Sequence, residues 1–164
     1  MIKFGTGGFR AIIGEDFTRS NLEMLSFALI KIIKRSGMEK KPVIIGYDRR
    51  FLSDLAAKWI ACVFAAEGIE IHFINYDAPT PLIMFQVMQE NASYGIAVTA
   101  SHNPAEYNGV KIFTAGGRDA TEEVTDEIEA EIARMNPSEI HSMDYSKALA
   151  TGAAKAINPQ NHYI

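Results

Sequence analysis

The chain is predicted to fold as an α/β layer structure, and three features of its sequence predict it. Short β-rich apolar runs alternate with longer segments whose apolar residues recur at helical spacing, the pattern of a sheet covered by helices. No internal repeat or low-complexity tract interrupts that alternation. The connection between the runs at 94–99 and 109–113 is too short for a parallel crossover, so an antiparallel return is expected there.

Taken in order, Ser20 and Glu23 form a candidate capping box. Leu22, Leu25, Leu29, Ile32 and Ile33 then share one helical face until Gly37 ends the segment. A strand over 42–47 leads to a helix over 53–66, which Gly68 stops before a strand over 69–75. Pro79-Thr80-Pro81 starts the third helix, because proline near the first helical position is preorganised for it. The run at 94–99 reads as a buried strand, after which Asn103-Pro104 forces the chain out of regular structure and Asn108-Gly109 supplies a second tight turn. Over 121–135, Val124, Ile128 and Ile132 mark an amphipathic helix. Its Glu122, Glu123, Asp126, Glu127 and Glu129 suit a solvated face and the helix dipole, not catalysis. From Pro137 to the end, a weak helical stretch surrounds Gly152.

The 164 residues are 48% hydrophobic and carry a formal charge of −4, enough for one sizeable core. Mild acidity offers no broad attraction for nucleic acid or an anionic membrane, although Arg10, Arg50 and Lys111 are candidates for a local basic pocket. No leader sequence and no apolar run long enough to span a bilayer is evident, so a soluble cytoplasmic protein is expected. The single cysteine, Cys62, sits among Trp59, Ile60, Val63 and Phe64 and reads as a packing residue. His72, His102, His141 and His162 show no metal-site spacing, and no closely spaced Asp-x-Asp-x-Asp run exists.

Chemistry concentrates in Thr99-Ala-Ser-His-Asn-Pro104 and the residues up to Lys111. Ser101 is presented beyond the carboxyl end of an apolar strand, where open α/β sheets bind ligands. A serine hydrolase would use Ser101 with a histidine base, but the Gly-x-Ser-x-Gly elbow is missing and adjacent His102 is poorly spaced. A non-catalytic module binding a phosphorylated metabolite or a partner protein through this loop is the alternative to an enzyme. Phe4-Gly-Thr-Gly-Gly-Phe-Arg10 lacks the ending of a P-loop and reads either as a weak phosphate-binding signal or as a glycine-rich hairpin. Gly46-Tyr-Asp-Arg-Arg50 closes another apolar run, and its Asp48 and Arg50 either fix a turn or reach substrate.

Thr99-Ala-Ser-His-Asn-Pro104 with Tyr107-Asn-Gly109 and Lys111 resembles the phosphoserine signature of the α-D-phosphohexomutases, the phosphoglucomutase and phosphomannomutase enzymes. The segments at 4–10, 46–50 and 79–81 resemble further family motifs. The resemblance implies the family's first domain over 1–155, a three-layer α/β/α sandwich with a mixed, mainly parallel sheet of about four strands and one antiparallel strand. Residues 156–164 would begin a linker to a second domain. It implies that Ser101 carries a phosphoryl group, that His102 donates a hydrogen bond beside it, and that Lys111 balances charge or moves a proton. Arg10 is implied as a phosphate or substrate contact, with Thr6, Gly7, Arg50 and Asn103 as further binding residues and Asp48 as a loop support. In the complete enzyme Mg²⁺ would meet Ser101 through its phosphate, with its other ligands outside this chain. Hexose 1- and 6-phosphates would interconvert through a hexose 1,6-bisphosphate, with the other domains of the same enzyme as partners. The isolated domain is expected to be inactive.

Overall fold

A computed structural model describes residues 1–6 and 8–159. Its sheet is built around four parallel strands, β3 (Val43–Tyr47), β4 (Ile71–Asp77), β5 (Tyr94–Val98) and β8 (Ala154–Ile157), in the order β5-β3-β4-β8. The expected antiparallel return is β6 (Tyr107–Thr114) beside β5, and it is not alone. β2 (Gly8–Ile12) pairs with β6, β1 (Phe4–Gly5) forms the outer edge, and β7 (Arg118–Asp119) adds a short ribbon on β6. The sheet therefore has eight strands where about five were expected. The extra ones are short, two to five residues, too few for periodicity to register. The sheet runs through Ile157 at its β8 edge.

Helices lie on both faces because the inner strands are apolar on both. Val43, Ile45, Phe73, Ile96 and Val98 face the core shared with α1 (Arg19–Arg35), α2 (Ser53–Ala66), α4 (Glu122–Arg134) and α5 (Tyr145–Thr151). Ile44, Ile74, Ala97 and Phe113 face Leu82, Ile83 and Val87 of α3 (Thr80–Gln89), which covers the other side. That helix rests close on β5. A Cβ at Gly95 would overlap Cγ2 of Val87, so glycine sets the spacing of this layer.

Helix ends correct one expectation. The N-cap of α1 is Thr18, whose hydroxyl accepts from Asn21 N at 3.2 Å, whereas Ser20 lies inside the helix and Glu23 pairs with Arg19 at 2.8 Å. Thr18 wins because its backbone is extended, which aims its oxygen at the free amides of the first turn. At the other end of the chain, α5 stops at Gly152, whose φ of 79° suits a residue without a Cβ.

The acidic face of α4 is less solvated than its composition suggests. Glu129 Oε1 accepts from Phe4 N at 2.7 Å and ties the amino-terminal hairpin to the helix. Glu131 is 3% exposed and lies between Arg134, 2.6 Å away, and Arg35 of α1. Hydrogen bonds from Arg134 and Arg35 hold its carboxyl below the usual carboxylate range against the opposing effect of burial. A depressed folded-state pKa contributes stability above the ordinary carboxylate value, and that contribution disappears as pH falls through the folded value. Glu131→Gln is therefore expected to cost about 1–2 kcal/mol near pH 7, discounted for two half-exposed arginines, and progressively less as pH falls below the ordinary carboxylate range. Urea unfolding as a function of pH checks this, and a difference that does not shrink with falling pH would contradict it.

Candidate active site

The carboxyl ends of β3, β4 and β5 open onto a crevice of about 790 Å³, lined by Asp48, Arg49, Arg50, Phe51, Asp77, Ala78, Pro79, Ser101, Asn103 and Ala105. Ser101 stands at its rim, exposed, on the loop that leaves β5. Its φ is 54°, a left-handed conformation that a serine adopts at some cost and keeps only where neighbours enforce it. Three local bonds do so: Ser101 N donates to Thr99 Oγ1 at 3.0 Å, Asn103 N to Ala100 O at 3.0 Å, and Tyr107 N to Pro104 O at 3.0 Å.

A larger constraint comes from Arg50. Nη1 donates to the carbonyls of Pro104 and Tyr107 at 2.9 and 3.1 Å, and Nη2 to those of Ser101 and Asn103 at 2.7 and 2.6 Å. A guanidinium has four terminal N–H groups, and all are engaged by one loop. Arg50 thus holds the loop, one of the two roles left open by the sequence. Asp48 is also a support: its Oδ1 accepts from Arg50 N at 2.9 Å and from Ser53 Oγ at 2.7 Å.

That carboxylate begins a buried polar chain missed by sequence reasoning. Asn108 Nδ2 donates to Ser53 Oγ at 2.9 Å and to Phe51 O at 3.1 Å, while its Oδ1 accepts from Gly109 N at 2.8 Å. Asn108 and Gly109 were expected to form a tight turn. Instead they lie within β6, paired with Ala11 and Arg10, and the turn is made by residues 104–107. A Cβ on Gly109 would overlap Phe9 O and come within 2.9 Å of Thr99 O, so glycine is there for close approach of three backbones. Local Asn-Gly chemistry suggests a turn in either case.

The remaining predicted residues are dispersed around this loop. His102 is exposed, with Nδ1 3.3 Å from Ser101 Oγ, and no carboxylate among the described residues orients its ring. Arg10, on β2, donates from Nη1 to Asn103 Oδ1 at 2.9 Å, while its buried Nε has no partner. The glycine-rich segment forms a hairpin, and its arginine reaches the serine loop. Lys111 is not part of the crevice lining. Its ammonium is 3.1 Å from Asp119 on β7 and lies over Phe113. Thr6 is in the hairpin turn and lines a cavity with Glu122, Thr125 and Asp126 of α4, away from Ser101. Gly7 and His162 fall outside the described residues. Arg10 and Arg50 thus meet at Asn103, on its side-chain and backbone oxygens respectively, whereas Lys111 pairs with Asp119.

Two groups of the crevice went unremarked or were set aside. Arg49 Nε donates to Asp77 Oδ2 at 2.6 Å, and that hydrogen bond keeps the Asp77 carboxyl below its usual range. By contrast, burial pushes the Cys62 thiol up, which agrees with a packing role. No group of three His, Cys, Asp or Glu side chains among the described residues is arranged to hold a metal ion. One exposed hydroxyl beside one imidazole is too few oxygens for Mg²⁺, so these residues do not by themselves make its site.

Known proteins share the sequence and fold of this chain. A phosphoglucosamine mutase from Prochlorococcus marinus (strain MIT 9215) is 37% identical over 134 residues, covering 81% of this chain and 28% of that protein. A protein of Schizosaccharomyces pombe named as a phosphoribomutase is 37% identical over 121 residues, covering 71% of this chain and 21% of that protein. A crystal structure from Thermus thermophilus, described as a phosphomannomutase, superimposes with a TM-score of 0.85 and 33% identity over 99% of this chain and 34% of its own. The chain thus spans between about a fifth and a third of the length of these relatives. No helix among the described residues is long and apolar enough to cross a membrane. Residues 1–139 match the family described as phosphoglucomutase/phosphomannomutase, alpha/beta/alpha domain I, and the chain belongs to that family.

Proposed function

We propose that this chain is the phosphoserine-bearing domain of a cytoplasmic phosphohexomutase, which interconverts hexose 1-phosphate and hexose 6-phosphate through a bound hexose 1,6-bisphosphate. The observation that carries this reading is Ser101 itself: an exposed hydroxyl at a crevice rim, on a loop whose carbonyls are pinned by one guanidinium. Phosphoryl transfer asks the protein chiefly for position and charge, and a rigid loop supplies position.

In this reading phosphorylated Ser101 is the donor. The Oγ–P bond breaks as a P–O bond forms to a sugar hydroxyl, whose proton leaves to a base and returns to Ser101 Oγ. The reverse step, with the sugar's other phosphate, reloads the serine. His102 Nδ1, 3.3 Å from the hydroxyl, is placed to bond or exchange that proton. Arg10, which reaches the loop through Asn103 and has an unpartnered buried Nε, is a candidate for countering phosphate charge. Lys111 would first have to leave Asp119. Phosphorylated Ser101 would offer Mg²⁺ a phosphate oxygen, with the other donors from elsewhere, and the metal would supply charge stabilisation of the transferring phosphoryl group.

Intact-mass analysis after exposure to a hexose 1,6-bisphosphate tests the proposal. One phosphoryl group on Ser101, with negligible steady-state mutase turnover by this polypeptide alone, is the expected result. An unmodified chain would leave only a binding module, and an acyl adduct from an activated ester would point to hydrolysis.

A further inference from the structure

Arg50 pins the loop that carries Ser101, and Arg50 is itself held by a buried polar chain that starts on β6. Asn108 and Ser53 are both fully buried. Asn108, fixed in the sheet opposite Ala11, gives its amide hydrogens to Phe51 O at 3.1 Å and to Ser53 Oγ at 2.9 Å. These contacts straddle Leu52. That residue starts α2 with a φ of 67°, a left-handed conformation costly for a leucine, and offers no side-chain cap. Because the amide occupies one side of Ser53 Oγ, the hydroxyl proton is directed to Asp48 Oδ1 at 2.7 Å, and the same oxygen accepts from Arg50 N at 2.9 Å. The bonds close a ring. Arg50 reaches forward to the carbonyl of Tyr107, the residue before Asn108, and Asn108 reaches back to the segment from which Arg50 projects.

Buried polar groups cost stability unless each is paired, so apolar side chains could fill this space at less risk. They would lack direction. Hydrogen bonds fix the rotation of the 48–53 segment as well as its distance from β6, and that rotation sets where the guanidinium of Arg50 meets the serine loop. We infer that Asn108 is a positioning residue for Ser101, acting through Arg50. The role rests on the phosphoryl-transfer reading above. It makes the placement of the reacting oxygen depend on a side chain that touches neither the serine nor the crevice lining.

Glucose 1,6-bisphosphate is the phosphoryl donor in the test, and uptake by Ser101 in the 164-residue chain is followed by rapid-quench intact mass. Asn108→Ala is expected to slow uptake by about 10- to 100-fold, the scale set by misplacing a reacting oxygen by up to about 1 Å. Combined with Arg50→Lys it should fall within about threefold of Arg50→Lys alone, because both changes cut one ring, whereas independent effects would multiply. Arg50 supplies a second readout. Its four fixed donations should give resolved ¹⁵N guanidinium signals, which Asn108→Ala should broaden or merge while the amide signals of Ile45 and Ile96 in the sheet stay in place. If Asn108→Ala fails to fold, Ser53→Ala, which deletes only the middle hydroxyl, takes its place and should slow uptake by about 3- to 10-fold. Parental uptake, unchanged Arg50 signals, or losses that multiply in the double variant would each overturn the role and leave phosphoryl transfer by Ser101 standing. A parent chain that takes up no phosphoryl group would instead remove the transfer reading, and the part of Asn108 in it.

Discussion

Arg50→Lys should slow phosphoryl uptake by Ser101 about 100-fold while leaving the fold intact. The four bonds that Arg50 donates go to carbonyls of Ser101, Asn103, Pro104 and Tyr107, spread along the whole loop. An ammonium has three donors on one atom and cannot span that spread, so the substitution keeps the charge and loses the geometry. Displacing a reacting oxygen by about 1 Å is worth on the order of 100-fold in rate, which sets the expected size. Stability should change far less, because the loop carbonyls lie at an exposed edge and water replaces part of what is lost. Rapid-quench mass analysis of uptake, run beside urea unfolding and hydrogen exchange at residues 101–107, measures all three. Uptake at the parental rate, with faster exchange in the loop, would show that loop order is irrelevant to the serine.

The largest stability effect is expected at Gly109, where replacement by alanine should cost about 3–5 kcal/mol. Its Cβ would overlap Phe9 O on one side and crowd Thr99 O on the other, and both are backbone atoms held in strands or at a strand end. Neither can step aside as a flexible side chain would. Separating β2 from β6 would also draw Arg10 away from Asn103 and pull Asn108 out of its bonds to Ser53 and Phe51. A loss of that size is a large share of the ~5–15 kcal/mol that holds a domain of this kind together. Gly5→Ala is the control, since among the described residues its Cβ would meet only Gly8 O at 3.9 Å. Equal unfolding midpoints for the two variants would refute the packing argument.

The legible parts of this fold were those in which a physical signal repeats along the chain. The helix in α2 matched its expected bounds, and the strands β3 and β5 agreed to within a residue, because buried apolar runs and spaced apolar faces leave a mark every two or four residues. β4 begins and ends two residues later than expected, which is an ordinary uncertainty at element ends. The hairpin strands, β7 and β8 left no such mark. Two to five residues with polar or glycine content acquire their state from the edge they join. Asn108-Gly109 failed for the opposite reason: a strong local turn signal was overridden by pairing with β2 and by a buried amide that needed three partners.

At the candidate site, Ser101 was visible because a small polar loop after an apolar strand is a local feature. The partner of each cation was not visible. Arg50 reaches carbonyls 51 to 57 positions away, Arg10 reaches Asn103, and Lys111 turns to Asp119. By itself the sequence determined the layered architecture and the exposed serine at a strand's carboxyl end, since both follow from which residues must leave water and which must break regular structure. Only the tertiary structure decided which charge holds the loop and which ones pair with a carboxylate. Hydrogen bonds between distant residues depend on where the topology brings the chains together, and side-chain chemistry alone does not specify that.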